Sequence, residues 1–250
     1  MNKYGLSRNI PAPIKRQIRQ ESGFGCVICG NGIYEYEHIE PEYNDAEIHD
    51  PKCMTILCPS CHSKVTRGLI SKKTVWEAKN KPKSLEKGFS SDWFDIGENY
   101  PFIVLGGLTL LDVTIPLLID NIPVIKITKI ESENSPWLLT AKFFDSENNL
   151  TLEIIENEWM AYNDNWDVNI VGPVITITDN QKVTVLQLRI VPPDGIIIEK
   201  LKMSYNGYSL TIDGDMLAIV APGDRRSYYY GCISSNNNVG LNINKDFTGF

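Results

Sequence analysis

The chain has 250 residues, 42% hydrophobic and 22% charged, with a formal net charge of −7. Such a length and apolar content support a real core in one large domain or two ordinary ones, and exclude wholesale disorder, a collagen-like repeat and a disulfide mini-protein. Lys and Arg outnumber Asp and Glu by 14 to 10 in residues 1–90, whereas acidic residues outnumber basic ones by 21 to 10 in residues 91–250. The charge therefore divides the molecule into a basic first part and an acidic second part.

The N-terminus MNKYGLSRNIPAPIKRQ has no apolar h-region, so no secretory signal is read and a reducing cytoplasm is the expected compartment. Ile10–Glu21 (IPAPIKRQIRQE) reads as a basic helix in which Lys15, Arg16 and Arg19 share one face. Cys26-x-x-Cys29 follows. The run Tyr34–Ile39 then alternates like a strand and sets the Glu37 carboxylate beside the His38 imidazole. A second pair, Cys58-x-x-Cys61, lies 28 residues beyond the first and leads directly into His62. The segment after His62, SKVTRGLISKKTVWEAK, reads as a helix carrying Lys64, Arg67, Lys72 and Lys73.

Two C-x-x-C pairs in a chain without a signal peptide point to a metal site before they point to disulfides. Four thiolates satisfy tetrahedral Zn²⁺ at about 2.3 Å and leave no open position, so such a site is structural. Phosphodiester hydrolysis needs a base for water and a divalent metal at the phosphate. His38 suits the first role because its ordinary pKa lies near working pH, and Glu37 and His62 suit the second. Lys15, Arg16, Arg19, Lys64 and Arg67 would hold nucleic-acid phosphates, which carry no base identity. His49, in an acidic loop with Asp45, Glu47 and Asp50, reads as solvated.

With these residues in place, the sequence resembles the zinc-bearing branch of the HNH endonuclease family. The likeness is carried by C-V-I-C-G at 26–30, Y-E-H-I-E-P at 36–41 and I-L-C-P-S-C-H-S-K-V-T-R-G at 56–68, with a basic helix before the first cysteine pair. It covers roughly residues 8–80. The resemblance implies a ββα-metal active site on a treble-clef scaffold: a structural Zn²⁺ on Cys26, Cys29, Cys58 and Cys61, His38 as general base, and Glu37 and His62 as ligands to a catalytic Mg²⁺ or Mn²⁺. Glu37 stands where the family usually has Asp. Cys53 stands where the family has the Asn that braces the base-bearing loop, and a thiol is too weak a hydrogen-bonding group to replace an amide. Asn44 is the alternative brace in that loop.

Residues 89–100 read as a linker, with Gly97 and the Ser90-Ser91 pair. Pro101–Ile119 is apolar, but Asp112, Pro116 and Gly106-Gly107 interrupt it, so buried strands fit better than a membrane span. Further runs at Pro123–Ile130, Asn149–Ile155, Val168–Thr178, Lys182–Val191 and Ile196–Met203 are rich in Val, Ile and Thr and are broken by turn residues. They predict an all-β domain over 101–250, a sandwich or jelly roll, with a β-solenoid as the alternative. Arg225–Tyr230 reads as an edge strand. Trp137, Trp159 and Trp166 read as packing residues.

The expected whole is an α+β HNH domain over 1–88 acting on double-stranded DNA with low sequence specificity. An acidic β-domain would serve sensing, oligomerisation, an activating ligand or a partner protein. That fusion resembles bacterial restriction and anti-phage effectors. The alternative is a catalytically impaired, zinc-stabilised module that binds nucleic acid or a partner.

Overall fold

The computed structural model describes residues 1–129 and 135–245. The protein is mostly β, with a curled half-barrel sheet and few helices. It divides into two compact units, Met1–Asp92 with Ala161–Asn169, and Trp93–Met160 with Ile170–Phe250.

In the first unit, helix α1 (Ala12–Glu21) starts after Pro11, with Pro13 in its first turn, where a missing N–H costs nothing. Strands β1 (Glu35–His38) and β2 (Met54–Leu57) pair antiparallel, with Glu37 opposite Thr55 and His38 opposite Met54. All four residues of β2 are buried because both of its faces are covered. Met54 and Ile56 join Ile10 and Ile18, while Leu57 joins Val27, Ile39, Val65 and Val75. β2 is thus the central wall between two small cores.

Helix α2 (Pro59–Thr66) follows β2 immediately. The stretch expected as one helix after His62 is two. Gly68, at φ 73, turns the chain after α2, and the Ser71 hydroxyl caps α3 (Lys72–Asn80) by accepting from the Thr74 N–H at 3.1 Å. A short α4 (Lys83–Lys87) leads to β3 (Phe89–Trp93), so the segment expected as a linker opens as a strand. Residues 161–169, expected in the β-domain, group with the first unit. Asn163 there donates to the Ser84 carbonyl at 2.7 Å, and Gln20 of α1 donates to the Trp166 carbonyl at 2.7 Å.

The remaining strands are β4 (Phe102–Leu105), β5 (Leu108–Ile119), β6 (Ile122–Lys129), β7 (Trp137–Phe144), β8 (Leu150–Ile155), β9 (Glu158–Tyr162), β10 (Asp167–Val171), β11 (Val174–Thr178), β12 (Thr184–Val191), β13 (Gly195–Tyr205), β14 (Tyr208–Asp213), β15 (Met216–Ala221), β16 (Arg225–Tyr229) and β17 (Cys232–Ile243). The expected run Val168–Thr178 is split by a turn at Gly172, and Ile130 of the expected run Pro123–Ile130 lies outside the described residues. The strands join one hydrogen-bonded sheet instead of the two stacked sheets of a sandwich. The physical cause is two long, shared strands. One edge of β13 is divided between parallel β4 and antiparallel β14, while β5 carries β4 and β6 on one side and parallel β17 on the other. Asp112, at φ 54, interrupts the extended backbone of β5 midway. Trp159 is buried, and Trp137 packs against Tyr100 in a tilted arrangement with ring centroids 4.2 Å apart. Among the described residues no helix is long and apolar enough to cross a membrane.

Candidate functional site

The four cysteines of the two C-x-x-C pairs converge. Their sulfur atoms all lie within 4.8 Å of one another, and Cys29 Sγ is 3.6 Å from Cys58 Sγ. A tetrahedron with bonds of about 2.3 Å has edges of about 3.8 Å, so this cluster can hold a metal ion such as zinc. Each knuckle is a tight turn. Gly30, at φ 84, donates its N–H to the Cys26 carbonyl at 2.8 Å, and His62 N–H donates to the Cys58 carbonyl at 2.8 Å. The closeness of Cys26, then burial, holds the Cys29 thiol far above its ordinary pKa, while burial, then Cys58, pushes Cys61 up to about 12. Thiols this reluctant to ionise alone need a cation to become thiolates together.

Because His62 follows Cys61, the cysteine knuckle sets it in the first turn of α2, facing β1. Strand alternation puts Glu35 and Glu37 on the face of β1 that meets it. His62 Nε2 lies 3.0 Å from Glu37 Oε2 and His62 Nδ1 lies 3.2 Å from Glu35 Oε2. A neutral imidazole has one N–H, so one of these two contacts needs a further proton or a cation between nitrogen and oxygen. Glu37 is only 12% exposed, and its other oxygen accepts from Lys72 Nζ at 2.8 Å; the same ammonium lies 3.3 Å from Glu42.

His38 ends β1 and is buried. Burial, and then His49 beside it, lowers its pKa from the ordinary histidine value, which disfavours the charged form of the ring. His38 and the Glu35–Glu37–His62 group line one cavity of about 560 Å³, together with Arg8, Tyr43, Asn44 and Lys72. The structure therefore brings His38, Glu37 and His62 to one place.

Other expectations are corrected. His49 is not solvated: it is 8% exposed and its ring nitrogen meets His38 at 3.1 Å. His38 is braced by His49, not by Asn44. The Cys53 thiol faces Asp50 Oδ2 at 3.8 Å, and its main-chain carbonyl accepts from Ile39 N–H, just past the end of β1, at 2.9 Å. Arg19 is not a phosphate ligand. It is 5% exposed, grips Asp167 with two nitrogens at 2.9 and 2.6 Å, and donates to Tyr36 Oη at 2.8 Å. Arg16 stacks on Trp166 with its guanidinium 4.4 Å from the ring centre, and Lys15 lies over Tyr36 at 5.7 Å. Both turn toward aromatic rings. Lys64 and Arg67 are exposed on and just after α2.

The sequence reading missed Arg8 and His49. Arg8 sits over Tyr43 at 4.8 Å at the cavity. Nothing in its sequence surroundings marks it, whereas His49 was visible as one of only three histidines in the chain. Comparison with protein-family models, curated proteins and solved structures gives no match.

Proposed function

We propose that the first unit is a metal-dependent endonuclease of the HNH type, hydrolysing DNA phosphodiester bonds. The observation that carries this reading is the one cavity lined both by the buried His38 and by a histidine–carboxylate pair 3.0 Å apart. That separation suits two neighbouring ligands of a six-coordinate ion with bonds of about 2.1 Å, which subtend about 3.0 Å.

In this reading His38 takes the proton from a water that attacks phosphorus in line with the leaving oxygen. Glu37 and His62 would hold Mg²⁺ or Mn²⁺, which when bound supplies positive charge to the leaving oxygen. Lys72 holds Glu37 Oε1 and so leaves Oε2 directed at His62. Arg8 at the cavity, with the exposed Lys64 and Arg67 on and just after α2, would supply phosphate contacts without base readout. Zn²⁺ on the cysteine cluster is the scaffold that keeps α2 and His62 in place. The acidic second unit repels a polyanion and is left the roles of assembly, targeting or activation, an arrangement that resembles restriction and anti-phage effectors.

The second reading, an impaired module that binds without cutting, is favoured by one contact: the Lys72 ammonium already neutralises the carboxylate that would hold the ion. Supercoiled plasmid separates the two. Nicking with Mg²⁺ or Mn²⁺ that stops on chelation, and is lost in a folded His38→Ala variant, supports the nuclease. Gel retardation with intact plasmid under every metal selects the binding module.

A further inference from the structure

The partner that holds His38 lies outside every motif of the sequence. His38 Nε2 is 3.1 Å from His49 Nδ1, with both side chains buried, and His49 Nε2 is 2.9 Å from the carbonyl oxygen of Ser7. A carbonyl only accepts, so His49 Nε2 carries the proton of that bond. In a neutral His49 ring, Nδ1 is then the acceptor, and His38 Nε2 must be the donor. His38 Nδ1 is thereby left with its lone pair. One main-chain carbonyl fixes the tautomers of two rings in series.

The segment that leads to this carbonyl is itself held. Asn2 Oδ1 accepts from Leu6 N–H at 2.9 Å, while Asn2 Nδ2 donates to the carbonyls of Tyr43 and Ala46, each at 2.6 Å. Tyr43 Oη donates to the Leu6 carbonyl at 2.8 Å, and the Tyr43 ring lies 5.6 Å from that of His38. Residues 2–7 and the loop 43–49 therefore brace each other around the two imidazoles. This is the bracing that Cys53 does not provide.

We propose that His49 is a positioning residue for the base: with the Ser7 carbonyl it fixes His38 as the Nε2–H tautomer and presents Nδ1 as the nitrogen that accepts the proton from water. The proposal rests on the nuclease reading of His38 and adds to it which nitrogen acts and what orients it. A buried ring without this partner would sample both tautomers and turn about its side-chain bonds, so the loss should fall on turnover rather than on DNA binding.

The test uses the full chain as wild type, His38→Ala, His49→Ala and His49→Asn, assayed for nicking of a labelled duplex and by ¹⁵N NMR of the His38 ring. Asparagine keeps an acceptor near the place of Nδ1; alanine does not, and circular dichroism of both variants checks the fold. His49→Ala is expected to lower kcat by about ten- to a hundredfold with KM unchanged, the size of effect seen for outer partners of functional histidines, and His49→Asn to restore most of it. Native His38 should carry its proton on Nε2, and in His49→Ala it should mix tautomers. Wild-type kcat in His49→Ala, or a native His38 protonated on Nδ1, overturns the proposal. Undiminished nicking by His38→Ala would instead remove the nuclease reading, and the positioning role with it.

Discussion

His38 turns toward the loop that carries His49, while Glu37, one residue earlier, turns toward His62 on the other face of β1. Adjacent residues of a strand point apart, yet these two share a cavity because the strand ends at His38. The closeness of Glu37, His38 and His62 was legible in the sequence because its signals are local: a Glu-His step, and a His next to a cysteine. His49 was not legible as a partner, since its contacts come from Ser7, 42 residues away, and from a ring whose direction only the fold decides. Arg19 was misread for the same reason. Its spacing on α1 resembles a phosphate-binding face, but Asp167, 148 residues later, converts it into a buried ion pair. Replacing Arg19 by Ala leaves that carboxylate, in a site only 8% exposed, with just the longer 3.4 Å contact to Arg16, which should cost about 3 kcal/mol of stability. A urea midpoint unchanged from wild type would contradict this. DNA binding by any folded fraction should be unaltered.

At the level of elements, the four-cysteine cluster joins the turn at Cys26–Cys29 to the start of α2, and α2 carries His62 to β1. The C-x-x-C spacing showed this in advance because knuckle geometry is short-range. The break between α2 and α3 was also written in the chain, as Gly68 and the Ser71 cap, but the apolar spacing on either side masked it. Removing Cys61 leaves three thiols, of which Cys26 and Cys58 are buried, short of the fourth sulfur that a closed tetrahedral site needs. Cys61→Ser should therefore lower the zinc content from one per chain to near zero. It should also change the fluorescence of Trp76, which packs against the core containing Cys61. Full zinc occupancy in Cys61→Ser would contradict a four-sulfur site.

Across the whole molecule, the strands of the acidic part were legible from their Val, Ile and Thr runs, but their partners were not. Pairing of β17 with β5 joins residues more than a hundred positions apart, and the division of one β13 edge between β4 and β14 has no sequence mark. A sandwich was the default expectation, and a single forked sheet is what forms. Charge has its own consequence at this scale. With Arg19 spent internally, Lys72 paired with Glu37 and the second part acidic, the cations counted for the nucleic-acid grip are Arg8 at the cavity and the exposed Lys64 and Arg67 on and just after α2. Three phosphate contacts predict a slope of about −3 in log affinity against log salt for duplex DNA. A slope near −10 would place most of the grip elsewhere.

In the proposed nuclease a sulfur-bound ion positions His62 so that it and Glu37 serve a second, hydrolytic ion beside His38. Plasmid nicking by wild type and His62→Ala, each measured for zinc before Mn²⁺ is added, tests it most directly. One zinc per chain is expected in both proteins, with nicking by the wild type alone. Equal nicking by the zinc-loaded His62→Ala protein would contradict it.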